Sequence, residues 1–276
     1  MSDKAAKQPP VPVPAATILM LRDNVETGAL EVFMVVRHHQ IDFASGALVF
    51  PGGKAAPSDA DPQVREYCDG AEGLDDIQLN LHVAAIREAF EESGVLLARQ
   101  GGSRDIIGRD VVESLDKYRP ELDRGGLPIL DFLKANDLRL ACDQLVRFAH
   151  WITPDMMPKR FDTHFFLAAS PADQAAMHDG HETVDSVWGN PGQIAEESKQ
   201  GKWTVIFPTL MNIEKLGKSS TVAEAMQNAR DGKIVTVLPV VKQIDGETVL
   251  EIPAEAGYSV IHERLSNIPS DVKGKG

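Results

Sequence analysis

The chain has 276 residues, 43% hydrophobic and 25% charged, a balance that excludes fibrous and disordered classes and supplies enough apolar side chains for a core. Its 41 acidic residues against 28 basic ones give a net charge of −13, a field that repels a phosphate backbone and excludes a nucleic-acid polymer as the expected partner. Cys68 and Cys142 lack CxxC or Cys/His spacing. With no signal peptide and no apolar run of about 18 residues, a cytoplasmic protein without membrane attachment is expected.

Residues 1–14 carry four prolines and read as an extended or disordered arm. Two apolar runs, 17–21 and 30–37, flank a polar stretch and predict an antiparallel hairpin; 47–50 is a third short strand that ends at the break Pro51, Gly52, Gly53. Residues 54–78 hold seven acidic side chains among glycines and prolines and read as a long surface loop or insertion. A helix is predicted over 79–93, stopped by Gly94. Residues 101–143 read as an inserted helical hairpin. Strands follow at 145–152, 163–169 and 184–188, then two or three helices over 191–230, and a hairpin of 234–241 with 248–252 turning at Asp245 and Gly246. This mixture, without strict alternation, predicts an α+β fold or an α/β/α sandwich.

The helix over 79–93 carries the chemistry. At about 100° per residue, Leu79, Val83, Ile86 and Phe90 form one stripe, while Glu88, Glu91 and Glu92 share the opposite face. Three carboxylates at such spacing repel unless a cation sits among them, and hard oxygen ligands on a rigid face suit Mg²⁺ or Mn²⁺. The alternative is an ordinary solvated acidic face.

Two stretches decide between these: Phe50-Pro51-Gly52-Gly53-Lys54 and Arg87-Glu88-Ala89-Phe90-Glu91-Glu92-Ser93-Gly94-Val95. Together they resemble the Nudix hydrolase signature. The resemblance implies a mixed sheet between helices and metal-dependent cleavage of a diphosphate linkage in a small nucleoside diphosphate derivative. It makes Glu88, Glu91, Glu92 and the Gly52 carbonyl the metal ligands, with Glu91 or Glu92 sharing the role of base. Arg87 braces the helix through ion pairs, and Gly53 and Gly94 are structural. The segment before the helix is about 20 residues longer than the family spacing, with Asp59 where the family has a glutamate; Asp59, Asp61, Asp75 or Asp76 would replace it. Lengthening a surface loop by this amount costs little closure entropy. Glu182, six residues before Trp188, is a further candidate ligand or base.

Longer stretches, including 37–61 and 146–171, resemble the larger branch that contains coenzyme A and acyl-CoA diphosphohydrolases. That resemblance implies one domain over 15–260 with insertions at about 54–78 and 101–143, followed by a tail over 261–276, and a homodimer as one expected assembly. Arg37, Lys54, Lys159 and Arg160 are candidate phosphate-binding cations. Trp151, Phe161 and Phe165 are either adenine-stacking or core residues. ADP-ribose, nucleotide sugars and dinucleoside polyphosphates are the alternative substrates, and a non-catalytic nucleotide sensor the alternative function.

Overall fold

Strand β1 (Val13–Asp23) contains the run AATILML, in which every residue between Ala15 and Leu21 is buried or nearly so. Such a run requires cover on both faces of a sheet. Ala16, Ile18 and Met20 enter one apolar cluster; Leu19 and Leu21 enter a second. The period-2 geometry of a strand divides its side chains between the two.

The computed structural model describes residues 8–37, 46–178 and 183–267. After β1 come β2 (Leu30–Arg37), β3 (Leu48–Val49), β4 (Gly52–Lys54) and β5 (Cys68–Asp69), then helix α1 (Asp76–Ser93) and β6 (Ala98–Gln100). The helical insertion supplies α2 (Arg109–Leu115), α3 (Arg119–Asp123) and α4 (Ile129–Ala135), and leads into β7 (Leu138–Ala141). Strands β8 (Val146–Ile152), β9 (Phe161–Ala169) and β10 (Thr183–Gly189) precede α5 (Pro191–Lys199), α6 (Phe207–Leu216) and α7 (Val222–Asp231). The chain continues through β11 (Thr236–Val237), β12 (Val240–Ile244), β13 (Glu247–Glu251) and β14 (His262–Arg264).

The principal sheet has the order β10-β2-β1-β9-β8-β11, with β3 added to β2 and β4 to β1. β1 pairs parallel with β9 and antiparallel with β2, so the sheet is mixed. Helix α1 and the insertion cover one face, α5 to α7 the other, giving the α/β/α sandwich.

Several boundaries differ from the sequence expectations. β1 starts within the expected arm, because Val13 and Pro14 pair with Phe161 and Asp162. Residues 54–78 are not a simple surface loop: they form 3-10 turns at Pro57–Ala60 and Pro62–Tyr67, and bury Asp59, Val64 and Cys68. α1 begins at Asp76 because Asp75 caps it, its carboxylate accepting from the Gln78 N–H at 2.7 Å while the Gln78 side chain accepts from the Asp75 N–H. Within the expected tail, His262–Arg264 pairs with β13. The expected strand over 234–241 divides: Thr236 and Val237 join the principal sheet beside β8, while Val240 starts a separate three-stranded sheet.

Candidate active site

The glycine turn and α1 meet on β1. Gly52 and Gly53 pair with Thr17 and Ala16, which fixes their depth in the sheet. The Gly52 N–H donates to a Glu92 carboxylate oxygen at 2.9 Å. A Cβ on Gly53 would lie 2.6 Å from both Glu88 carboxylate oxygens, and one on Gly52 would lie 2.5 Å from the Ala16 carbonyl oxygen. Only bare backbone lets the turn approach the helix and β1 this closely. At the far end of α1, Gly94 adopts φ +71° and closes the helix, its N–H donating to the Phe90 carbonyl.

Arg87 organises the carboxylates. Its guanidinium donates to both oxygens of Asp59 at 2.9 Å, to Glu91 at 2.7 Å, to Glu88 at 3.0 Å and to the Lys54 carbonyl at 2.8 Å. Of the four acids considered for steadying the enlarged segment, Asp59 therefore takes that place. Asp75 caps α1, Asp61 caps the second 3-10 turn, and Asp76 pairs with Arg65. Burial works against the Arg87 charge, yet Glu88, Asp59 and Glu91 hold its pKa above the ordinary guanidinium value.

One guanidinium thus faces the three carboxylates of Asp59, Glu88 and Glu91. Burial pushes the Glu91 carboxyl up to about 8, against the pull of Arg87, with Glu88, Asp123 and Asp59 adding to the rise. Glu91 Oε1 is buried and has no hydrogen-bond partner among the described residues. A surplus of buried negative charge with an orphaned carboxylate oxygen is the chemistry of a divalent-cation site with oxygen donors. Glu88, Glu91, Glu92 and the Gly52 carbonyl have the right donor type, and the residues present fit such an ion.

The acidic face is not an ordinary solvated one: Glu91 and Glu92 are both buried. The insertion contributes to this enclosure. Arg119 donates from Nε and Nη2 to the Glu91 carbonyl at 3.1 and 3.0 Å, and Asp123 and Leu122 line the cavity that Glu91 lines.

That cavity has a volume of about 940 Å³. Gly52, Gly53, Lys54, Arg87, Glu88 and Glu91 lie along it, together with Arg37, whose Nε is buried and has no hydrogen-bond partner among the described residues. Trp151, Phe161 and Phe165 line it too, joined by Trp203 and Phe207 from a distant part of the chain. Trp151 and Phe165 are also core residues, the second of the two expectations for these aromatics.

Lys159 and Arg160 do not line the cavity among the described residues. Arg160 is buried and ties its own loop together, donating to the carbonyls of Thr153 and Pro10 and pairing with Asp155 at 2.5 Å. A Lys-Arg pair in a loop resembles a phosphate grip, but this guanidinium faces inward. Glu182 lies outside the described residues. Arg119, Asp123, Trp203 and Phe207 carry no sequence signal of this role, because no local spacing links them to α1.

The model of the NUDT19 Nudix domain matches residues 64–216, more than half of the chain. The chain belongs to the Nudix family. Acyl-coenzyme A diphosphatase NUDT19 from Xenopus laevis is 23% identical, the match covering 84% of this chain and 72% of that protein. Putative nudix hydrolase 7 from Caenorhabditis elegans is 26% identical over 68% of this chain, which spans only 56% of that relative. The crystal structure of a NUDIX hydrolase from Alicyclobacillus acidocaldarius superposes with a TM-score of 0.68 at 27% identity, covering 83% of this chain and all of that one. As a Nudix member the chain is an enzyme of the diphosphohydrolase class, with the α+β fold expected of it. None of its described helices is long and apolar enough to cross a membrane.

Proposed function

We propose that this Nudix enzyme hydrolyses the diphosphate linkage of coenzyme A or an acyl-CoA, using Mg²⁺ or Mn²⁺ held by Glu88, Glu91, Glu92 and the Gly52 carbonyl. The observation that carries the metal assignment is the buried, unpartnered Oε1 of Glu91 in a cluster with surplus negative charge. The substrate assignment is supported by one cavity in which carboxylates and cations at the glycine turn continue into an aromatic wall. A nucleotide carrying a long, partly apolar arm matches that lining, and the Xenopus relative bears the name of an acyl-CoA diphosphatase.

Bound among the carboxylates, the cation supplies charge neutralisation on the diphosphate and an acidified water. Arg37 and Lys54, both on the cavity, bind phosphate oxygens and orient the linkage. Arg87 keeps Glu88 and Glu91 aligned but, engaged with Asp59, takes no part in proton transfer. A cation at Oε1 would hold Glu91 in its ionised form, Glu91 or Glu92 shares the role of base, and Glu92, anchored to the Gly52 N–H, holds the turn against the helix. Two buried free cysteines accord with a reducing, cytoplasmic setting.

The test is a hydrolysis panel of coenzyme A, acyl-CoA, ADP-ribose, a nucleotide sugar and a dinucleoside polyphosphate, with and without Mg²⁺ or Mn²⁺. Cleavage of the CoA compounds is expected, with turnover falling by about 100-fold or more in Glu91→Gln and Glu92→Gln while both variants remain folded. Wild-type rates in both variants refute the site, and preference for another panel member refutes the substrate. Tight binding of one member without any turnover would make the chain a sensor.

A further inference from the structure

We propose that His150, Asp162 and His164 form a second metal site, separate from the glutamate cluster, taking a borderline divalent ion such as Zn²⁺ through two imidazoles and a carboxylate. One ligand atom from each residue lies within 4.8 Å of the others. Strand geometry brings them together: His150 on β8 stands directly opposite His164 on β9, and Asp162, two positions before His164, shares its face.

The distances suit a small tetrahedral ion. Asp162 Oδ1 is 3.6 Å from His164 Nε2, close to the ligand-to-ligand spacing of about 3.3 Å that metal bonds of about 2.0 Å impose. Asp162 Oδ1 and His150 Nε2 are 2.5 Å apart, a contact bridged by a proton that a metal ion would replace. Opening that contact by less than about 1 Å brings this second edge to the same spacing. The imidazoles are stacked, with centroids 3.9 Å apart and planes at 20°, so taking one ion requires the rings to tilt until their in-plane nitrogen lone pairs converge on it.

An outer partner is already in place. His150 Nδ1 bonds to Thr236 Oγ1 on β11 at 2.8 Å, which orients the ring and leaves Nε2 for the ion. The side chains of His150, His164 and Asp162 are 14%, 17% and 36% exposed, so an ion can enter and a water can complete the coordination. Phe161, Thr163 and Phe165, the alternate residues of β9, line the catalytic cavity, whereas His164 pairs with Ala16 on the face that α1 covers, and the triad shares no residue with the glutamate set. Its mixed N/O donors differ from the all-oxygen set on α1, so the two sites select different ions. A bound ion would fasten β8 to β9 beside the short strand β11.

Titration of the full chain with Co²⁺, in millimolar Mg²⁺ that occupies the oxygen site without competing for imidazole, reads the proposal directly. The expected result is one equivalent of Co²⁺ with intense visible bands of tetrahedral type, displaced by Zn²⁺. The bands are lost in His150→Asn and in His164→Gln, bind at least about tenfold more weakly in Asp162→Asn, and persist in Glu92→Gln. Zn²⁺ should also raise the melting temperature of the wild type but not of the histidine variants, whose folding circular dichroism checks. Absence of the bands in the wild type overturns the proposal without any variant, as does their survival in both histidine variants or their loss in Glu92→Gln.

Discussion

The Arg87 guanidinium holds both carboxylate oxygens of Asp59 at 2.9 Å across 28 positions of the chain, and both side chains are almost wholly buried. Without Asp59 the guanidinium keeps Glu88 and Glu91, so what is lost is two charge-assisted hydrogen bonds and the anchor of the enlarged segment. Asp59→Ala should therefore lower stability by about 1.5–3 kcal/mol in urea unfolding. An unchanged midpoint would show that the enlarged segment does not brace the helix.

The two glycines of the turn should fail differently. Gly53→Ala pushes a methyl group against the Glu88 carboxylate, a side chain that can move, so the expected loss is in turnover and metal affinity with little change in melting. Gly52→Ala meets the backbone of Ala16 and Thr17, which cannot move without disturbing β1, and should destabilise the fold. Paired thermal melts and Mn²⁺ titrations separate the outcomes.

Arg37 and Arg160 give a second contrast. Arg37→Ala should raise KM for the diphosphate substrate with little effect on stability, since Arg37 lines the cavity. Arg160→Ala should leave KM unchanged and lower the melting temperature, because its guanidinium joins Thr153, Asp155 and Pro10. A KM effect at Arg160 larger than that at Arg37 would reverse the assignment.

Tyr258 should report the integrity of the aromatic wall. Its hydroxyl accepts from Trp151 Nε1 and donates to Asn212 Oδ1, both at 2.9 Å, and burial pushes its pKa from 10.0 up to about 12. A folded-state pKa above the unfolded value means that this stabilisation is complete below pH 10 and is lost as pH rises from 10 towards 12. The wild-type minus Tyr258→Phe difference in tyrosinate absorbance should titrate near 12. A difference curve centred near 10 would contradict the burial of this hydroxyl.

What the sequence disclosed depended on how local each signal was. The strand hairpin, the carboxylate helix and its Gly94 stop follow from periodicity and adjacent residues, and the Nudix motif lies within single stretches. Asp59 stands at the family spacing beside three other candidates, and only the folded chain shows which acid reaches Arg87. Arg160 makes the same point: residue type and loop position do not show which way a side chain faces. The convergence of His150, Asp162 and His164 leaves no local pattern, because it depends on the register of β8 against β9, which includes a shift between Arg147 and Ala149. The wall residues Trp203 and Phe207 follow from the docking of a helix distant in sequence, a contact without local pattern.

The alternation of β1 between two cores has a bearing on how this fold tolerates change. A slip of one residue would exchange the burdens of both cores and would carry Gly52 and Gly53 along the strand, away from Glu88 and Glu92. The strand thus serves as the datum from which the catalytic turn is measured. The segment between Lys54 and Asp76 is tied to that datum at its own points, Asp59 on Arg87 and Cys68 beside Leu140.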